Sequence, residues 1–467
     1  MIQRPQPLRS FLSWCLHAYA ILATFYTLWN LGLPLLRYRS LARNHLAGSP
    51  PRIILPSKMT PQQAEEFLWS NFSLSAHCPL DAWDPILSRA FPRLMHPSRI
   101  IPYYYRAAGN FENDDITVTT LISSDRFSVF QNLVQRYKGP ISVTIHVSLL
   151  SLDILVDLHT IYTSSPDFST YVDLHLVLSP FEMSEGSRQF NAWRNLARLY
   201  ARTDFVMMLD VDFVPSTDFR SFIRYNLKQH LLGSGVDNAH LLMERFVQGS
   251  VALVVPAFEY ARQGDGMNPD TFPRDKTELL DLVHSDPPKV TPFHVAWARG
   301  HQSTNYTKYY SIPPGSGQVY QVLKHDNAYE PYAIFSNKAA WCDERFIGYG
   351  ANKAACLFGM TVAGMEFYVL ADHFLIHRSH LYAEKARATE RGYNRKLYLD
   401  FQEEVCVRSI HKVLREGEPD TAGPPSIRNQ CMHQKIAERM TQMIQEYSQG
   451  ISPTTRSARL PPLKEMV

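Results

Sequence analysis

The run Phe205-Val206-Met207-Met208-Leu209 stops abruptly at Asp210-Val211-Asp212, and this junction constrains the chain more than any other stretch. Apolar residues in unbroken succession, with no polar alternation, read as a strand covered on both faces, as in the middle of a parallel sheet. If the backbone stays extended through Asp212, the period of two turns Asp210 and Asp212 to the same side. Two carboxylates there suit one hard, oxygen-seeking cation. Asp-x-Asp also arises by chance at solvated strand ends, so its context has to decide.

That context is α/β. Ile116–Ile122 is a β-branched strand, Phe127–Tyr137 has helical spacing, Gly139-Pro140 makes a turn, and Ile141–Val147 is a second strand. Strand, helix, turn and strand form a βαβ unit, which requires a parallel pair. Val172–Leu178 adds a strand, and the helical stretch Asn191–Thr203 leads directly into the Asp-x-Asp strand. The order suggests a doubly wound, nucleotide-binding half whose ligand sits at the carboxyl ends of the strands. No Gly-rich phosphate loop and no Gly-x-Ser-x-Gly elbow accompanies these strands, which argues against P-loop and α/β-hydrolase chemistry.

Composition and flanks add an address. The 467 residues are 45% hydrophobic and 19% charged, with a formal net charge of +3, so the chain fills a large core and is a poor match to nucleic acid. Residues 11–36 contain no Asp, Glu, Lys or Arg and are flanked by Arg4, Arg9, Arg37, Arg39 and Arg43. This is expected to be a single membrane anchor behind a cytoplasmic tail of residues 1–10. Residues 37–106 read as stem and lead-in, 107–415 as the folded domain, and 416–467 as a linker, a polar helix and a disordered tail. Six cysteines, Cys15, Cys78, Cys342, Cys356, Cys406 and Cys431, form no C-x-x-C pair, so zinc is not suggested and the connectivity stays open. Asn71 and Asn305 lie in sequons, consistent with a lumenal body.

Eight blocks, in order, resemble glycosyltransferase family 49, the family of the glucuronyltransferase domain of LARGE-type enzymes. They are Ser124-Asp125-Arg126 with the Gly139-Pro140-Ile141-Ser142 turn, Asn191-x-x-Arg194-Asn195-x-Ala197, Leu209 to Pro215, and Leu253 to Glu259. The others are Gly300-His301-x-x-Thr304-Asn305-Tyr306, Tyr329-Glu330-Pro331-Tyr332, Asp343 to Lys353, and Phe374-Leu375-Ile376-His377. The resemblance covers roughly Ile116 to His380. It implies a GT-A-type nucleotide-sugar transferase fold with a mixed, mostly parallel central sheet, preceded by a transmembrane helix. It also implies a Golgi enzyme of single-pass type II topology that moves a sugar from a UDP-sugar donor to a glycan or glycoprotein acceptor, with inversion and with Mn2+ or another divalent cation.

The resemblance assigns roles that chemistry makes intelligible. A departing nucleoside diphosphate accumulates negative charge, and a divalent cation bridging its phosphates relieves it. Asp210, Asp212 and His377 are the expected metal ligands, His377 ending an apolar run as Asp212 does. Arg194, Asn195, Asp210 and Asn352 are expected on the nucleotide and sugar. Inversion needs a base for the acceptor hydroxyl; Asp343 is expected, with adjacent Glu344 as the second candidate, in a loop where Gly348 and Gly350 allow backbone to approach a ligand. Local sequence leaves open that Asp343 instead pairs with Arg345. The resemblance favours glucuronate as the donor sugar, for whose carboxylate Arg194, Lys276, Arg345 and Lys353 are available cations, none of them assigned by the sequence. A non-catalytic sugar-binding or scaffold relative of the same fold is the competing reading.

Overall fold

The computed structural model describes residues 99–123, 126–148, 154–179, 188–232, 238–324, 326–380, 385–416 and 430–431. The expected anchor, most of the stem, and nearly all of the segment after 416 lie outside the described residues. Among those described, no helix is long and apolar enough to cross a membrane.

Thirteen strands are present among the described residues, in two sheets. The first eight are β1 (Arg99–Tyr105), β2 (Ile116–Ile122), β3 (Ile141–Ser148), β4 (Val172–Ser179), β5 (Phe205–Met208), β6 (Phe213–Pro215), β7 (Val251–Val254) and β8 (Ala257–Tyr260). The remainder are β9 (Val290–Pro292), β10 (Val319–Gln321), β11 (Ala333–Ser336), β12 (Glu366–Leu370) and β13 (Leu375–His377). The large sheet runs β1-β4-β3-β2-β5-β11-β7-β12-β10, and the small one β6-β13-β8-β9. Four helices matter for the site: α1 (Phe127–Tyr137), α2 (Phe190–Leu199), α3 (Asn352–Val362) and α4 (Lys385–Glu416).

β4, β3, β2 and β5 are mutually parallel, as the βαβ pattern requires. β11 then enters antiparallel between β5 and β7, so the sheet is mixed, and parallel order holds in the half that carries the nucleotide-binding pattern. β5 is buried on both faces. Phe205 and Met207 pack into one apolar cluster and Val206 and Met208 into the other, the two lying on opposite sides of the sheet. An uninterrupted apolar run is what such a position selects, because each polar substitution would bury an unpaired group. The edge strand β1 pairs antiparallel with β4, so the sheet begins inside the span expected to be stem.

A buried histidine on the sheet is satisfied through a chain of hydrogen bonds. His175, wholly buried on β4, accepts the Tyr103 backbone N–H at Nδ1 (2.9 Å). Its Nε2–H then donates to Ser142 Oγ (3.0 Å), whose hydroxyl donates to the Ala197 carbonyl (2.5 Å). This chain of bonds accepts only the neutral imidazole. Burial holds the His175 pKa down at about 3, and burial likewise holds His373 at about 4.

A depressed histidine pKa gives stability that is complete above the unfolded value near 6.5 and is lost as pH falls toward the folded value. The metal-free protein is therefore expected to lose about 1.4 kcal/mol per pH unit for each of His175 and His373 between pH 6.5 and pH 4. Thermal melts across that window test this, and an unchanged melting temperature would contradict it.

Candidate active site

β2 and β5 run side by side and end at the same edge, where Leu209 N–H still reaches the Thr119 carbonyl (3.1 Å). The extended backbone goes no further. Phe213 N–H turns back to the Asp210 carbonyl (3.1 Å), so Val211 and Asp212 form a turn before β6. The expectation that Asp210 and Asp212 lie on one side rested on continuous extension, and this turn corrects it: each carboxylate meets its own set of partners.

Asp212 meets two histidines. β6 pairs antiparallel with β13, His377 lies opposite Phe213, and Arg378 N–H continues the ladder to the Asp212 carbonyl (2.8 Å). Long-range pairing thus places the end of β13 against the turn. One ligand atom each from Asp212, His377 and His380 lies within 4.8 Å of the others, the group among the described residues suited to a metal ion. His380 Nε2 is 3.4 Å from Asp212 Oδ2, and Arg126 Nη1 donates to Asp212 Oδ1 at 3.0 Å. Burial lowers the His377 pKa to about 4, outweighing the pull of Asp212, so its ring is neutral and a competent ligand at physiological pH. One carboxylate and two imidazoles fit a divalent transition ion such as Mn2+ better than Ca2+ or Mg2+, which favour all-oxygen shells.

Asp210 is outside that group. Its Oδ2 accepts from the Tyr332 hydroxyl (2.8 Å) and from Lys353 Nζ (3.3 Å), and its Oδ1 faces Arg194 Nη2 (3.4 Å). Burial opposes a charge here, yet Lys353 and Arg194 outweigh it and hold the Asp210 carboxyl well below the usual range. Lys353 lies over the Tyr332 ring, 3.5 Å from its centre, and its own pKa is lowered by burial. Phe213 packs on Tyr332 (4.1 Å between ring centres), on Phe293 (4.9 Å) and on His377 (5.0 Å), forming an aromatic wall between the two acidic centres.

The remaining expected residues form a lattice behind Asp210. Arg194 Nη1 donates to Asn352 Oδ1 (2.7 Å), and Asn352 Nδ2 donates to the Gly348 carbonyl (2.8 Å), so both stand beside Asp210. Asn195 faces inward: its amide donates to the Cys342 carbonyl (2.9 Å) and Glu344 Oε1 (2.7 Å) and accepts the Cys342 N–H (3.1 Å). Both Asn195 donors are thereby committed to the loop. Asp343 is buried and receives three contacts from the Arg345 guanidinium, the closest 2.6 Å, while Arg345 also reaches Glu404 at 2.7 Å. Gly348 and Gly350 have positive φ, and what approaches them is α4: a Cβ on Gly348 would lie 2.2 Å from the Glu390 carboxyl carbon. A disulfide, Cys342–Cys356, ties this loop to α3, and Cys406–Cys431 ties α4 to the segment beyond it.

Two contributors carried no assigned role in the sequence. His380 follows His377, an expected ligand, by three residues, a spacing that has no meaning once the strand has ended. Arg126 reaches Asp212 across 86 positions, and its trace in the sequence is its place in the Ser124-Asp125-Arg126 block just past the end of β2, which carried no role.

The family model described as "Glycosyl-transferase for dystroglycan" matches residues 115–190 and 181–409. The chain is 29% identical over 268 residues to the rat xylosyl- and glucuronyltransferase LARGE2, covering 57% of this chain and 34% of that protein. It is 27% identical over 359 residues to the zebrafish LARGE2s of the same description, covering 75% and 41%. It thus spans about a third of the length of the first curated relatives it matches. A crystal structure of GalNAc-T7 with UDP, GalNAc and Mn2+ aligns at 9% identity and a TM-score of 0.35, covering 88% of this chain and 70% of that one.

Asn195→Ala removes three hydrogen bonds from the buried loop that carries Asp343 and Glu344, and should lower stability by about 3 kcal/mol. Denaturant unfolding measures this. Wild-type stability in the variant would mean that the clamp contributes nothing.

Proposed function

The chain belongs to glycosyltransferase family 49, and on that premise we propose that it is a metal-dependent, inverting transferase carrying a sugar from a UDP-sugar to a glycan acceptor. The observation that carries this reading is the convergence of Asp212, His377 and His380 at the carboxyl edge of the parallel strands, within the family match. Those three residues would hold the cation and leave further positions open to diphosphate oxygens. When bound, the cation would neutralise charge on the departing diphosphate.

The chain's own side chains supply the rest. Asp210, with Arg194 and Asn352, faces the nucleotide, its charge set by Lys353 and Arg194 and its position held by their contacts, so no reorientation is needed when the donor enters. Glucuronate is the proposed donor sugar. Of four cations considered, Lys276 is spent on the Tyr309 and Ile312 carbonyls and Arg345 on Asp343 and Glu404. Arg194 and Lys353 remain at the site beside Asp210, and these two cations are the ones proposed to meet the carboxylate of an acidic sugar. Asp343 is the proposed base; to accept the acceptor's proton it must release Arg345, for which Glu404 stands as the alternative partner.

Asp212→Asn should weaken UDP binding in Mn2+ by about tenfold or more without loss of fold, and Asp343→Asn should slow transfer by about a hundredfold while donor binding persists. A screen of UDP-sugars with Mn2+, followed by NMR of the product anomer, reads all of this. Unchanged UDP affinity in Asp212→Asn, or a retained configuration, would sink the mechanism; a larger loss from Glu344→Gln would move the base there.

The proposed setting is a Golgi membrane with residues 11–36 as a single-pass type II anchor, resting on their lack of charge and their basic flanks. In sealed microsomes the body should resist added protease. Its digestion without detergent would contradict the topology.

A further inference from the structure

Arg126 occupies an unusual position for a fixed positive charge. Its backbone N–H bonds to the Ser123 carbonyl (3.0 Å), which anchors it just past the end of β2, next to the strand that delivers Asp212. Its guanidinium then touches two of the three members of the metal-binding group: Nη1 is 3.0 Å from Asp212 Oδ1, and Nη2 is 3.4 Å from His380 Nδ1. A guanidinium cannot shed its proton. A divalent ion held by Asp212, His377 and His380 would therefore sit close to an obligatory like charge, and would also compete with Arg126 for Asp212. The conflict disappears if an anion lies beside both. A nucleoside diphosphate is such an anion, and guanidinium groups bind its oxygens with charge-assisted, directional hydrogen bonds. The Arg126 side chain is 23% exposed, so it is not sealed in its present contact.

We propose that Arg126 is a diphosphate-binding residue that also guards the cation site: without nucleotide it pairs with Asp212 and opposes the metal, and with nucleotide it turns to the diphosphate. Cation and nucleoside diphosphate then bind as a coupled pair, each raising affinity for the other. The inference rests on the reading of Asp212, His377 and His380 as cation ligands, and it adds a residue and an order of events to that reading. It also separates Arg126 from a residue that merely orients Asp212, because the two roles predict effects of different sign.

The test is calorimetric titration of the full-length chain with MnCl2 alone and then with UDP at saturating Mn2+. For Arg126→Gln, Mn2+ alone should bind about fivefold tighter, UDP should bind about tenfold weaker, and the coupling between them should shrink by the corresponding factor. Arg126→Lys, which keeps the charge and loses the forked donors, should leave Mn2+ affinity near wild type and still weaken UDP. If Arg126→Gln weakens Mn2+ and UDP together, the residue only orients Asp212 and the proposal fails; unchanged values for both variants also overturn it. A wild-type chain that binds neither Mn2+ nor UDP would bring down the cation-site reading itself, and this inference with it.

Discussion

The site depends on where β5 stops. Held between parallel β2 and antiparallel β11, β5 is too buried on both faces to tolerate a carboxylate within its length, so Asp210 marks the first position at which an acid can stand. The ladder then breaks, and the turn closed by Phe213 N–H aims the two acids at different partners. A strand continued by two residues would have set both carboxylates side by side and would have left His377 and His380 without a shared acid.

Separation of the acids has an electrostatic consequence. Asp210 lies among Lys353, Arg194 and Tyr332, and its charge is held by partners that are themselves buried or nearly so, so that centre is rigid and already compensated. Asp212 is held by Arg126 and His380, side chains more exposed than the Arg194 and Lys353 that hold Asp210, so that centre can exchange partners. Between them stands the aromatic wall around Phe213, packed on Tyr332 on one side and on His377 on the other. Fixed charge on one side and exchangeable charge on the other suits a ligand whose nucleoside is recognised once and whose diphosphate must be released.

Much of this was legible in the residues. The residue pattern places β2, α1, β3, β4 and β5 within a residue of their observed limits, because unbroken apolar runs and helical spacing report burial directly. His377 ends an apolar run as the strand before Asp212 does, and the structure brings it to Asp212 and His380. What the chain could not reveal was anything set by the turn or by distant pairing. The split of Asp210 from Asp212 depends on one backbone hydrogen bond, and Arg126 on a contact 86 positions away. Asn195 and Asp343 illustrate a further limit: a polar residue in a family block can serve the loop as readily as the ligand, and here the Asn195 amide and the Asp343 carboxylate are bonded within the protein. The Asp343–Arg345 pair was an open alternative in the sequence, and only coordinates could display it.

The central claim is that the cation belongs to Asp212 and the two histidines, with Asp210 standing apart. Anomalous diffraction at the manganese edge from crystals grown with MnCl2 and UDP tests it directly. The account predicts a single strong peak within ligand distance of Asp212, His377 and His380, adjacent to the UDP diphosphate. A peak coordinated by Asp210 in place of the histidines, or no peak beside a bound UDP, would contradict it.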